Sequence, residues 1–159
     1  MISRTDEDQF AGFVRQAQPR LQAALTAAYG PETGQAATAE ALSYAWRHWD
    51  RVIDMQNPIG YLYRVGQSRA RRYLSWWRRQ PCPALDERTI GNPARWIEPG
   101  LPAALEKLSR RQRITVVLVC GFQWTQTEVG ELLGISRTTV EQHLSRGLAR
   151  LRRELKVAA

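Results

Sequence analysis

Arg137, Thr138, Thr139, Glu141, Gln142 and Arg146 crowd one short stretch of this 159-residue chain. Guanidinium, hydroxyl, carboxylate and amide groups at this spacing suit recognition by hydrogen bonds. Arginine grips phosphates and the guanine edge, glutamine pairs with the adenine edge, and glutamate accepts from cytosine. The residue types that could do covalent chemistry are His48, Asp50, Glu141, His143 and Ser145. They sit in charge-rich helical stretches and match no catalytic spacing. These residues point to a binding protein, not an enzyme.

Two short helices joined by a tight turn must position the polar set. Thr125 heads the first, and Glu128 three residues on completes a capping box. Val129, Leu132 and Leu133 recur at helical spacing. Gly134 follows, where a left-handed residue ends a helix at little cost. Ile135 fills the corner and Ser136 caps the second helix. In that helix Val140, Leu144, Leu148, Leu151 and Leu155 form one apolar stripe. The polar set lies off the stripe, near the end that enters a major groove in a helix-turn-helix. Arg150, Arg152, Arg153 and Lys156 add attraction to phosphate. An ordinary helical hairpin with a solvated face has the same pattern, so the rest of the chain must decide.

The net charge is +8. The positive charge gathers at residues 64–79 and 137–156, a distribution that points to nucleic acid. Period-two strand runs are scarce, so the chain is expected to be mostly helical. No run of about 18 apolar residues is present, which excludes a membrane span. Residues 1–9 are polar and acidic, unlike a signal peptide. Cys82 and Cys120 form no ligand cluster with His48 or His143, so no metal and no cofactor is expected. Reduced thiols in a cytoplasmic protein are the simplest reading, a disulfide the alternative.

Upstream, residues 6–29 read as a helix with Phe10, Phe13, Val14, Ala17, Leu21, Leu25 and Ala28 on one side. Pro19 interrupts it, because an interior proline loses a hydrogen bond. Residues 30–34 read as a loop. A second helix spans 35–52 and buries Ala41, Leu42, Ala45, Trp46, Trp49 and Ile53. Residues 54–58 turn, since the residue before proline avoids helical angles. A third helix runs from 58 to 79. Its apolar side is Leu62, Val65, Gly66, Tyr73, Trp76 and Trp77; its other side carries Arg64, Ser68, Arg71, Arg72, Ser75, Arg78 and Arg79. Arg69 projects onto the apolar side and needs a partner such as Glu40 or Asp54. Pro81, Pro83, Pro93 and Pro99 mark 80–101 as a linker, with Trp96 and Ile97 as anchors. Leu101, Leu105 and Leu108 share a face as the next domain begins.

The run from Leu108-Ser109-Arg110-Arg111-Gln112-Arg113 through the helix-turn-helix to Arg146-Gly147-Leu148-Ala149-Arg150-Leu151-Arg152 resembles region 4 of a bacterial sigma factor. Its Thr139-Val140-Glu141-Gln142-His143-Leu144-Ser145 segment also resembles the LuxR-type regulator domain. Ala45-Trp46-Arg47-His48-Trp49-Asp50-Arg51-Val52, then Asn57-Pro58-Ile59-Gly60-Tyr61-Leu62-Tyr63-Arg64-Val65, resembles region 2 of extracytoplasmic-function sigma factors, group 4 of the sigma-70 family. The resemblance implies an all-α chain of two small helical domains, 1–79 and 102–159, joined by the linker 80–101. It implies promoter-specific initiation with bacterial RNA polymerase core and promoter DNA as partners, and it allows an anti-sigma factor. By the same resemblance, Arg137, Thr138, Thr139, Glu141, Gln142 and Arg146 would read the −35 element. Asp54, Met55, Gln56 and Asn57 would form the −10 specificity loop, with Arg64, Ser68, Arg71 and Arg72 along the backbone. Glu40, Tyr44, Arg47 and Arg51 would meet core polymerase.

One feature departs from the family. An acidic run that helps to dock on polymerase is replaced by Gln35, Ala36, Ala37, Thr38 and Ala39, leaving Glu40. Arg69 also replaces an apolar residue. A stand-alone LuxR-like DNA reader and a sigma-like decoy with weak core binding are the alternatives. The terminal Ala158-Ala159 resembles tags read by bacterial Clp-type proteases; an arbitrary frayed end is the competing reading. Replacing both alanines with aspartate is expected to lengthen the cellular half-life, measured by pulse-chase. An unchanged half-life would remove the tag reading.

Overall fold

The computed structural model describes residues 3–77 and 100–156, and every regular element among them is helical. Helix α1 spans Arg4–Tyr29. Ser3 and Asp6 form a capping box at its start, satisfying amide donors that a first turn leaves open. Pro19 lies inside α1 on the exposed side, and the helix continues through it.

Gly30 alone makes the turn to α2, with φ 89°, a region that favours glycine. Helix α2 (Pro31–Arg47) therefore starts at once, and residues 31–34, expected to be loop, are its first turn. Pro31 fits that place because its fixed φ is helical and the first turn has no use for its missing N–H. The expected 35–52 helix is also two pieces. His48 leaves helical angles at φ −126°, and a short α3 (Trp49–Val52) follows. The break changes the phase of the stripe. Val52 is fully buried, whereas Ile53, expected inside, is 44% exposed.

Helix α4 (Pro58–Trp77) buries Leu62, Tyr63, Gly66 and Ala70. Val65 and Tyr73 are half-buried. Arg69 reaches Glu40 at 3.4 Å, the first of its two expected partners. The expected last residues of this helix, Arg78 and Arg79, lie outside the described residues. So do Cys82, Trp96, Ile97, the terminal alanines and all of the expected linker but its last two residues.

The C-terminal half begins with α5 (Leu101–Glu106) and α6 (Arg110–Val116). Ser109 and Gln112 form a capping box for α6, which runs on into a π-helical turn at Val117–Gly121. Helices α7 (Gln126–Leu133) and α8 (Arg137–Glu154) complete the fold. Ala104, Leu108, Val116 and Leu151 make a small apolar cluster between α5, α6 and α8, and Lys107 pairs with Glu154 at 2.6 Å beside it.

The larger cluster ignores the boundary between the halves. Leu21, Leu25 and Tyr29 of α1 and Leu62 of α4 share it with Ile114, Leu118, Val129 and Leu132. Burying each such side chain contributes about 1.5–3 kcal/mol, so this shared core is a strong adhesive between the halves. Helices α1 and α2 approach closely at Gly34. An added Cβ there would stand 2.5 Å from the backbone of Thr26. Gly34→Ala is expected to cost about 1–3 kcal/mol by forcing the helices apart. Gly12→Ala, where the nearest atom is a side-chain tip 3.8 Å away, should be neutral or stabilise by up to about 1 kcal/mol through helix propensity. Urea unfolding of the two variants checks the contrast.

Candidate nucleic-acid interface

The helix-turn-helix is built as its spacing predicts. Thr125 accepts from the Glu128 amide and Glu128 accepts from the Thr125 amide, at 3.2 and 2.8 Å. Gly134 takes the left-handed conformation, φ 67° and ψ 36°. An added Cβ on Gly130 would lie 2.8 Å from the Ile135 carbonyl, so the corner closes tightly on a glycine. The Ser136 hydroxyl accepts from the Thr139 amide at 3.2 Å and starts α8.

Arg137, Thr138, Glu141, Gln142 and Arg146 are exposed on α8. The buried Val140 and Leu151 hold the opposite side of that helix. Thr139 differs from the others. It is half-buried, and its hydroxyl bonds Ser136 Oγ at 2.8 Å, so it supports the cap. His143 is half-buried on the same helix. Burial first, then the nearby Arg111 and Arg146, hold its imidazole below the usual range, favouring the uncharged ring.

The second predicted group lies on α4 and the loop before it. Asp54 and Gln56 are exposed and Met55 is half-buried. Asn57 has two structural duties. Its Oδ1 accepts from the Gly60 amide at 2.9 Å, and its Nδ2 donates to the Glu131 carbonyl of α7 at 2.8 Å. The Arg64 guanidinium presses on the turn at Gly134, 2.8 Å from where a Cβ would stand. Arg71 faces Arg110 and Arg111 across a cavity, and it is exposed, as are Ser68 and Arg72. The two predicted groups are thus not one surface. The back of the helix-turn-helix covers part of the α4 group, and α8 keeps its own polar face free.

Of the third group, Glu40 is tied to Arg69. The Tyr44 hydroxyl shares a hydrogen bond with Tyr61 at 3.0 Å, and its ring stacks on His48 at 4.2 Å. That bond, then burial, pushes the Tyr61 phenol up. Arg47 and Arg51 are exposed. In the replaced acidic run, Ala37 and Thr38 are buried, and the Thr38 hydroxyl donates to the Gly34 carbonyl at 2.7 Å. Only Gln35, Ala36 and Ala39 reach solvent.

Sequence reasoning assigned no role to Arg20, Arg110, Arg111 or Arg113. Arg113 donates to the Ala27 and Ala28 carbonyls at 3.0 and 2.8 Å. Arg20 meets Glu128 at 2.6 Å and lies over the Trp124 ring at 5.1 Å. Arg110 stacks over Tyr29 at 4.8 Å. The available signal, for Arg110, Arg111 and Arg113, was composition: an arginine-rich helix start. Their partners, more than 80 residues away, leave no local trace.

Glu128 joins the capping box to the contact between the halves. Hydrogen bonds from Thr125, the backbone one first, and then Arg20 hold its carboxyl below the ordinary carboxylate range. A depressed folded-state value means that its stabilisation is fully present above the unfolded value. It is lost as pH falls through the folded value. Urea unfolding followed from about pH 7 to about pH 3 is expected to show a stability loss at the acidic end that Glu128→Gln flattens.

Among the described residues there is no cluster of His, Cys, Asp and Glu fit to hold a metal ion. No described helix is long and apolar enough to cross a membrane. Residues 100–151 match the family model of sigma-70, region 4. An RNA polymerase sigma-E factor of Streptomyces avermitilis is 30% identical over 159 residues, spanning 93% of this chain and 86% of its own length. The sigma-E factor of Streptomyces coelicolor is 30% identical over 158 residues, with 92% and 86% covered. Two solved structures share the fold at 20% identity. The sigma factor RpoE of Bartonella quintana, co-crystallised with the anti-sigma factor NepR, gives a TM-score of 0.63 over 95% of this chain and 99% of that one. CnrH, in complex with the cytosolic domain of CnrY, gives 0.59 over 96% and 91%.

Proposed function

This chain belongs to the extracytoplasmic-function RNA polymerase sigma factors of the sigma-70 family, and from that premise we propose how its residues divide the work of promoter recognition. The helix α8 reads the −35 element as duplex, through Arg137, Thr138, Glu141, Gln142 and Arg146, with Thr139 as their support. One observation carries the reading: these side chains stand exposed along the first ten residues of a helix whose opposite side is locked in a core. Rigid mounting matters, because a bidentate base contact is worth about 1–3 kcal/mol only when its geometry is held.

The loop Asp54, Met55, Gln56 and Asn57 and the side chains of Arg64, Ser68, Arg71 and Arg72 serve the −10 element. Asn57 and Arg64 are exposed, but α7 and the Gly134 turn engage them, so giving them up wholly to DNA means releasing those contacts. Promoter binding by this half is therefore favoured by separation of the halves. Glu40, Tyr44, Arg47 and Arg51 contribute to docking on core polymerase. Like NepR beside RpoE and the CnrY domain beside CnrH, a protein partner is expected to hold this chain when it is not in use. The protein works in the cytoplasm as a binding factor without catalysis of its own. His48, one of the potentially reactive groups, is occupied by the Tyr44 carbonyl at 3.0 Å.

A second reading has its own support. The uncharged Gln35, Ala36 and Ala39, with Glu40 engaged by Arg69, suit a sigma-like decoy that grips core polymerase weakly.

Run-off transcription with purified core polymerase on a genomic fragment pool tests both. Discrete transcripts that need this protein are expected. Arg137→Ala and Arg146→Ala should each lower their yield roughly five- to a hundredfold, the equivalent of about 1–3 kcal/mol per base contact. Specific DNA binding by the free protein without transcripts would instead identify a stand-alone regulator. Failure of both would leave the decoy.

A further inference from the structure

Between α4 and the paired helices α6 and α7 lies a cavity of about 240 Å³. Arg64, Gln67 and Arg71 line it from α4, and Arg110 and Arg111 face them from α6. Tyr63 completes the polar lining, and the remaining residues are aliphatic. No carboxylate lines it. Among the described residues, none of the four arginines forms an ion pair.

Four guanidiniums around one partly enclosed space repel one another. A cleft lined by one sign of charge focuses its field and raises the local concentration of counter-ions. A second observation points the same way. The Tyr63 hydroxyl is buried with only the neighbouring Gln67 side chain acting on it and no partner at full hydrogen-bond geometry, and Tyr29, under the Arg110 guanidinium, carries another hydroxyl without a partner. Buried polar groups are usually satisfied. The cavity thus joins unneutralised cations to a buried, weakly engaged hydroxyl beside them, the complement of a phosphate group, which accepts planar guanidinium forks and hydroxyls together. Its volume falls below the roughly 300–1,000 Å³ of pockets that enclose drug-sized molecules, which suits a di- or triphosphate group.

We propose that this cavity binds a small phosphate-bearing polyanion that clamps the two halves together and withholds Arg64 and Arg71 from DNA. The consequence for DNA rests on the promoter-reading role of α4; the binding itself does not. Because the ligand bridges α4 and α6, it binds only while the halves are packed. At about a hundred times its dissociation constant it shifts the closed-to-open ratio about a hundredfold. DNA and ligand then compete for the same arginines.

The full chain is titrated calorimetrically with sodium tripolyphosphate at fixed ionic strength. One saturable site is expected. Arg110→Gln with Arg111→Gln should weaken it at least tenfold. Arg152→Gln with Arg153→Gln, the same change of charge elsewhere, should alter it less than twofold. Equal weakening by the two pairs, or several weak sites, would overturn the proposal in favour of diffuse attraction to a basic protein. Equal affinity for a triglutamate peptide would overturn the phosphate assignment. Tyr63→Phe keeps the charge and removes only the buried hydroxyl, so it guards against misfolding of the arginine variants. It should weaken binding several-fold, and unchanged affinity would overturn the site. Tripolyphosphate that binds without weakening the protein's grip on promoter DNA would leave the site intact and instead count against the role given to α4.

Discussion

The C-terminal end of α1 cannot satisfy itself. Gly30 turns the chain and Pro31 starts the next helix immediately, so no following segment folds back over the last carbonyls. The last turn of α1 also carries no basic residue. The Ala27 and Ala28 carbonyls are instead taken by Arg113, about 85 residues further along the chain. A hydrogen bond with a charged partner contributes roughly 1.5–3 kcal/mol, and here one side chain makes two. This cap exists only while the halves are packed. The end of the longest N-terminal helix, the start of α6 and the shared core are therefore one cooperative unit. Whatever separates the halves must replace or hydrate those carbonyls and expose Leu21, Leu25, Ile114 and Leu132 as well.

Electrostatics pull against that unit. The chain carries +8, and closure brings Arg64 and Arg71 of one half toward Arg110 and Arg111 of the other. Arg20 with Glu128 is the one ion pair between the halves among the described residues. Partly exposed pairs of this kind contribute only about 0.2–1 kcal/mol. Apolar burial and the Arg113 cap hold the molecule closed, while its charge favours opening. Such a balance is responsive, because anions need supply only a modest differential affinity to change it. DNA takes the arginines one way and a small anion the other.

The local architecture was legible in the residues, because its causes are local. The Thr125–Glu128 box, the left-handed Gly134 and the Ser136 cap each depend on groups within four residues. The pairing of Arg69 with Glu40 was within reach too, since one helix period places that arginine on the inner side. Boundaries were less legible. Pro31 reads equally as a loop residue or the first residue of a helix, and His48 gives no warning that it breaks one. That break turned Ile53 outward and Val52 inward. Tyr63 and Ala70 were missed as core residues because α4 buries a wider arc than a single stripe against α1 and α2. The closed packing of the halves was not legible at all. Periodicity shows that a face is apolar and is silent on which other face will cover it.

The missing acidic run looks different in three dimensions. Ala37 and Thr38 lie in the seam between α2 and the helices it packs against, where a carboxylate would be buried. Burying an unpaired charge is costly enough that the group would neutralise or the helix would shift. At those two positions, then, small uncharged residues are what the seam requires, and they say nothing about polymerase. The informative positions shrink to Gln35, Ala36 and Ala39. Glu40 completes the surface, but Arg69 already holds it at 3.4 Å, with the carboxylate side chain still 56% exposed. An exposed pair in water is weak enough for a polymerase cation to share or displace. Arg69 can thus orient Glu40 without disabling it. The residual loss is three side chains' worth of surface charge, which slows electrostatically steered encounter more than it weakens the final complex.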